Sequence, residues 1–190
     1  MKIGLYFGSF NPIHIGHLAI ANYMIEFSDL EQIWFVVTPQ SPDKKQASLL
    51  PDYQRYELVY RAIEDFQYFR VSNIEFTLPK PSYTIDSLVH IGEKFPEHTF
   101  SLIMGADNLV TINKWKNAEI ILKDYNIYVY PRPHIIIEEY LNYSTIKIVE
   151  APLMEISSSF IREAIKKGKN LKAFVPLKTW NYIEEMNFYK

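Results

Sequence analysis

Short apolar runs of strand length alternate along this chain with segments whose apolar residues recur at helical spacing, and that alternation leaves few folds open. The strand candidates are 2–7, 32–37, 69–71, 100–104, 125–130 and 145–149. Helix candidates lie between and after them, at 16–27, 52–66, 85–94, 117–123, 158–167 and 177–185. Leu18, Ile20, Ala21, Met24 and Ile25 follow the 3.6-residue period, as do Leu58, Val59, Ala62, Ile63 and Phe66. Strands that are apolar on both faces and separated by helices predict a parallel sheet covered on both sides. The fold class expected is α/β, a doubly wound parallel sheet with right-handed crossovers.

A length of 190 residues suits a single domain, here 1–190, whose last part, about 156–190, reads as helical. Hydrophobic residues make up 48% and charged residues 22%, the balance of a globular chain and not of a disordered one. No apolar run approaches the roughly 20 residues of a membrane helix, and the start of the chain reads straight into a strand, with no signal-peptide pattern. The sequence has no cysteine, which excludes disulfides and thiolate metal sites. The formal net charge of −2 argues against a nonspecific nucleic-acid binder. The expectation is a cytoplasmic protein with neither nucleic acid nor membrane as a partner.

In doubly wound sheets, ligands bind beyond the carboxyl ends of the strands where the strand order reverses. Unusual sequence follows the first strand, in Gly8-Ser9-Phe10-Asn11-Pro12-Ile13-His14-Ile15-Gly16-His17. Gly8 allows backbone to approach a ligand closely. Asn11-Pro12 is a turn pair. Gly16 and His17 open a helix whose free N–H groups and dipole suit phosphate, and His14 and His17, three apart, can share one face. A polar surface pair or a metal pair are the other readings, although no carboxylate lies nearby in sequence. A second cluster, Ser157-Ser158-Ser159 followed by Arg162, precedes a helix; Ser158 or Ser159 would be its N-cap, and the same groups could clamp a triphosphate. The polar segment 39–51, with Pro39, Pro42 and Pro51, is a candidate substrate loop.

The run His14-Ile15-Gly16-His17 matches the HIGH signature of the nucleotidyltransferase superfamily, which includes the class I aminoacyl-tRNA synthetases. Ile156-Ser157-Ser158-Ser159-Phe160-Ile161-Arg162 resembles the ISSTxIR element of bacterial nicotinate-nucleotide adenylyltransferases, with Ser159 for Thr. The lysine-rich KMSKS loop of the synthetases is absent. Pro81-Ser82-Tyr83-Thr84-Ile85-Asp86-Ser87-Leu88 resembles the family's PSYTxDTL segment, and Gly105-Ala106-Asp107-Asn108-Leu109 its GADNL element. Trp115, Arg132 in Tyr130-Pro131-Arg132-Pro133, and Ala173-Phe174-Val175-Pro176 match further family positions. Departures are Phe7-Gly8 for two glycines, Asn11 for Asp, and Pro42-Asp43-Lys44-Lys45 where the family often has His-Lys.

The resemblance implies transfer of AMP from ATP to nicotinate mononucleotide, with Mg²⁺ bound through the ATP phosphates and possible homo-oligomers. It implies catalytic roles for His14, His17 and Arg162. ATP would contact Gly8, Ser9, Phe10, Gly16, Gly105, Asp107, Arg132, Ser158 and Ser159. The acceptor would contact Lys44, Tyr83, Thr84 and Trp115, with Trp115 stacked on the pyridine ring. No metal-ligating residue is expected. A related transferase for nicotinamide mononucleotide or phosphopantetheine, or a non-catalytic nucleotide-binding module, would share the first motif.

Overall fold

The computed structural model describes residues 1–39 and 49–190. Among these, six parallel strands form one sheet: β1 (Lys2–Gly8), β2 (Gln32–Val37), β3 (Phe69–Ser72), β4 (Thr99–Gly105), β5 (Ile127–Tyr130) and β6 (Ile146–Ile148). Their order is β3-β2-β1-β4-β5-β6, the doubly wound arrangement with its reversal between β1 and β4. Leu5 pairs with Trp34 on one side and with Leu102 on the other, so β1 is central and dry.

Alternate residues of each strand enter opposite cores, as a two-residue period requires. Tyr6, Ile33, Phe35, Val37, Ile103, Tyr128 and Tyr130 point to one core. Helices α1 (Ile15–Phe27), α2 (Asp52–Ile63), α6 (Ser158–Lys166) and α7 (Leu177–Glu185) cover that side. Ile3, Leu5, Val36, Leu102, Met104, Ile127 and Val129 point to the other, under α3 (Thr84–Lys94) and α5 (Ala118–Asp124). Each fully buried leucine, isoleucine or phenylalanine here contributes roughly 1.5–3 kcal/mol over exposure.

Several boundaries differ from the sequence expectation for local reasons. Helix α2 stops at Ile63 instead of Phe66, because Phe66 N–H turns back to the Ile63 carbonyl (2.9 Å) and its ring packs on Phe69. Strand β5 begins at Ile127, since Tyr125 N–H still closes α5 onto Ile121. A short helix, α4 (Ala106–Leu109), leaves β4 directly, where periodicity over so few residues carries no signal. No described helix is long and apolar enough to cross a membrane.

Candidate active site

The carboxyl end of β1 runs into a turn, residues 9–12, whose oxygens are tied to distant elements. Arg55 Nη1 donates to the Ser9 carbonyl (2.7 Å), Arg162 Nη1 to the Asn11 carbonyl (2.8 Å) and Ser158 Oγ to the Pro12 carbonyl (2.8 Å). Tyr189 Oη donates to Asn11 Oδ1 (2.8 Å). Phe10 adopts a positive φ of 43°, and its ring is buried against Gly8, where a Cβ would sit 2.8 Å from the ring. The contact with ATP expected of Phe10 is therefore open to its backbone alone; its side chain is core.

Helix α1 starts just beyond, with His14 as N-cap. The His14 and His17 rings stack, centroids 3.7 Å apart. His17 Nδ1 accepts from the His14 N–H (3.2 Å), which puts a neutral ring's proton on Nε2. His14 is 5% exposed, and its Nδ1 is buried with no hydrogen-bond partner among the described residues. Burial, with the Arg132 guanidinium adding to it, lowers the His14 pKa to about 4. At neutral pH His14 is thus an uncharged polar group, not a fixed cation.

Two cavities open on this end of the sheet. The smaller, about 260 Å³, is walled by His14, Gly16, His17, Arg132, Ser157 and Ser158. Arg132 Nε lies 3.2 Å from Asp107 Oδ1, and both crowd Gly105, where any Cβ would overlap the Asp107 carboxylate. Gly105 therefore lets the two side chains meet. Ser157, not Ser158 or Ser159, is the N-cap of α6, its Oγ accepting from Phe160 N–H (3.2 Å). The sequence left the choice to the later serines; the structure engages Ser158 with Pro12, and Ser159 with Arg162 Nη2 (3.2 Å). Arg162 and Ser159 do not line either cavity.

The larger cavity, about 350 Å³, is bordered by Gly8, Ser9, Tyr83, Thr84 and Trp115, together with Lys114 and Lys116. Thr84 is the first residue of α3, so that helix begins at the cavity wall. Lys116 Nζ sits 5.1 Å from the Tyr83 ring centroid and 2.9 Å from Asp86. Lys44 lies outside the described residues.

Several contributors escaped the sequence reading. Arg55 is fully buried, and its donors reach Ser9, Thr38, Pro39 and Leu50 carbonyls and Asp52 Oδ1 (2.6 Å). It ties the β1 turn to the residues on both sides of 40–48. Glu75, 2% exposed, reaches the larger cavity and accepts from Ser82 Oγ (3.2 Å) and Ser87 Oγ; burial raises its pKa. Lys114 and Lys116 flank Trp115 in sequence, a signal that was available. Tyr6 and Tyr130, which the sequence places only within strands, are core residues, yet both reach the larger cavity, and Tyr6 reaches the smaller one as well.

A family model described as cytidylyltransferase-like matches residues 5–164. A Flavobacterium johnsoniae protein named "Probable nicotinate-nucleotide adenylyltransferase" is 55% identical over 194 residues, covering 100% of both chains. Its namesake in Flavobacterium psychrophilum is 56% identical, again over 100% of both. Among solved structures, Plasmodium falciparum nicotinic acid mononucleotide adenylyltransferase, complexed with NaAD, superposes with a TM-score of 0.84 at 23% identity, covering 99% of this chain and 97% of that one. That likeness establishes a common fold, and the sequence relatives establish kinship. The chain belongs to the nicotinate-nucleotide adenylyltransferase family of the cytidylyltransferase-like proteins.

Proposed function

We infer that this chain transfers AMP from ATP to nicotinate mononucleotide, giving nicotinate adenine dinucleotide and pyrophosphate. The observation that carries the reading is the pair of cavities that share Tyr6 on their walls, one rich in phosphate donors and the other walled by Trp115, Tyr83 and Thr84. Two substrates that must react phosphate to phosphate need such adjoining sites. The Plasmodium falciparum protein of the same fold is complexed with NaAD, the dinucleotide that this reaction would yield.

An oxygen of the acceptor's phosphate attacks the α-phosphorus of ATP, one P–O bond forms, and the bond to pyrophosphate breaks. The acceptor phosphate has a second pKa of roughly 6 and is mostly ionised at neutral pH, so no general base is needed. The work is to position two polyanions and offset charge on the group in flight. His14, His17, Ser158 and the start of α1 face the phosphates. Arg162, through the Asn11 carbonyl, holds the turn that presents them. Arg132, on the wall of the smaller cavity, and Asp107, paired with it outside both linings, would serve the nucleoside end. Mg²⁺, carried on the ATP phosphates, would supply charge neutralisation. The smaller cavity suits a metal held by phosphate oxygens, since Glu155 is the one carboxylate on its wall among the described residues.

In the larger cavity Trp115 gives the pyridine ring a stacking face. The free N–H groups at the start of α3 and the nearby Lys114 and Lys116 favour the ring's carboxylate. Lys44 would meet the acceptor phosphate. Pyrophosphate release with ATP and, separately, nicotinate mononucleotide, nicotinamide mononucleotide and phosphopantetheine tests the reading. The acid should be used at least ten-fold more efficiently; preference for phosphopantetheine would overturn the acceptor assignment.

A further inference from the structure

The wall shared by the two cavities carries a buried pair of hydroxyls with one hydrogen too many. Tyr6 and Tyr130 are each 4% exposed, and their hydroxyl oxygens lie 3.3 Å apart. Arg132 Nη2 donates to Tyr130 Oη (3.4 Å). Burial raises both phenol pKa values, so both hydroxyls keep their protons at neutral pH. Two hydroxyls bring two hydrogens, and the bond between them consumes one. The guanidinium can only donate, so it takes up an oxygen lone pair and no hydrogen. Whichever tyrosine donates to the other, the second hydrogen has no acceptor among the described residues. Leaving such a donor buried is unfavourable.

Both side chains border the larger cavity, and Tyr6 borders the smaller one too. The Tyr6 ring also stands edge-on to His17, centroids 6.0 Å apart, so this wall adjoins the histidine pair. We propose that the Tyr6–Tyr130 pair is a substrate-binding element that donates its remaining hydrogen to a phosphate oxygen at the junction of the two cavities. The acceptor is a phosphoryl oxygen because the two substrates bring their phosphates together there, a step that rests on the reaction inferred above. Arg132, hydrogen-bonded to Tyr130 from the nucleotide side, polarises the pair and strengthens the donor.

The hydrogen count makes an unusual forecast. In Tyr6→Phe, Tyr130 retains its hydrogen; in Tyr130→Phe, Tyr6 retains its own. Each single variant should therefore lose less than about three-fold in kcat/KM, while the double variant loses ten-fold or more. Both changes keep the ring and its packing, and melting curves run alongside should shift little. The acceptor used is whichever phosphomonoester the unaltered enzyme prefers, so an error in acceptor identity and an error in the tyrosines' role are separable. A double variant within two-fold of the parent overturns the proposal. So does a graded loss of melting temperature with kinetics unchanged, which is the behaviour of hydroxyls that merely join β1 to β5. If the parent uses no acceptor at all, the inferred reaction falls. Calorimetric ATP binding then decides the pair's role, with equal affinity in parent and double variant overturning it.

Discussion

His14 and His17 lie face to face, their ring planes 29° apart, and the backbone N–H of the first holds Nδ1 of the second. That bond orients the His17 ring and leaves Nε2–H as its donor. On the proposed mechanism His17→Ala removes a donor to the charge that develops, and it should lower kcat by a factor of roughly 10² or more, with little effect on folding. Steady-state turnover beside a melting curve checks this. Turnover close to the parent's would remove His17 from the chemistry.

Acid should destabilise the chain through His14. Its pKa is lowered from 6.5 to about 4 in the folded state, so the unfolded chain binds the proton more readily between these values. Stability is intact above about 6.5 and is lost as the pH falls toward 4, by about 3 kcal/mol for this group. His14→Gln, which cannot protonate, should flatten the fall in melting temperature between those limits. Parallel curves for the two proteins would contradict the assignment.

Arg162→Ala should reduce kcat/KM for ATP by about 2–4 kcal/mol in transition-state binding. The route is the turn: Nη1 holds the Asn11 carbonyl and Nη2 the Ser159 hydroxyl. Arg162→Lys, which lacks the planar fork, should recover little. Loss of thermal stability with unaltered kinetics would make the residue purely structural.

Trp115 is half-buried, packed on the second core and open to the larger cavity. As a ring platform it is worth roughly 1–3 kcal/mol to the acceptor. Trp115→Ala should raise the KM for nicotinate mononucleotide about ten-fold or more and move that for ATP much less. Equal shifts for both, with a stability loss of about 3–5 kcal/mol, would return Trp115 to the core.

Much of the fold was legible because strand and helix periods differ sharply. The bounds 32–37 and 177–185 match β2 and α7 residue for residue. Histidines, serines and the tryptophan stood out because their types are conspicuous beside a strand end. Arg55 did not: in sequence it is one arginine in a helix, and only burial reveals that its donors meet carbonyls from three separate stretches. Tyr6 and Tyr130 were invisible for the opposite reason. They satisfy every core criterion, and their polar ends acquire meaning only once β1 and β5 stand on either side of β4.

Among the described residues, the turn at 9–12 is bonded by residues 50, 55, 158, 162 and 189. A ribosome that has delivered the first motif, and even the whole sheet, has delivered Arg55 but not yet Ser158, Arg162 or Tyr189, three of the groups that fix the shape of that motif. The nucleotide site should therefore be complete only once residue 189 has been synthesised, and a nascent chain short of it should hold ATP less tightly. A variant terminated after Met186, which keeps α7 but lacks the Tyr189 hydroxyl, should still fold, yet bind ATP several-fold more weakly than the full chain.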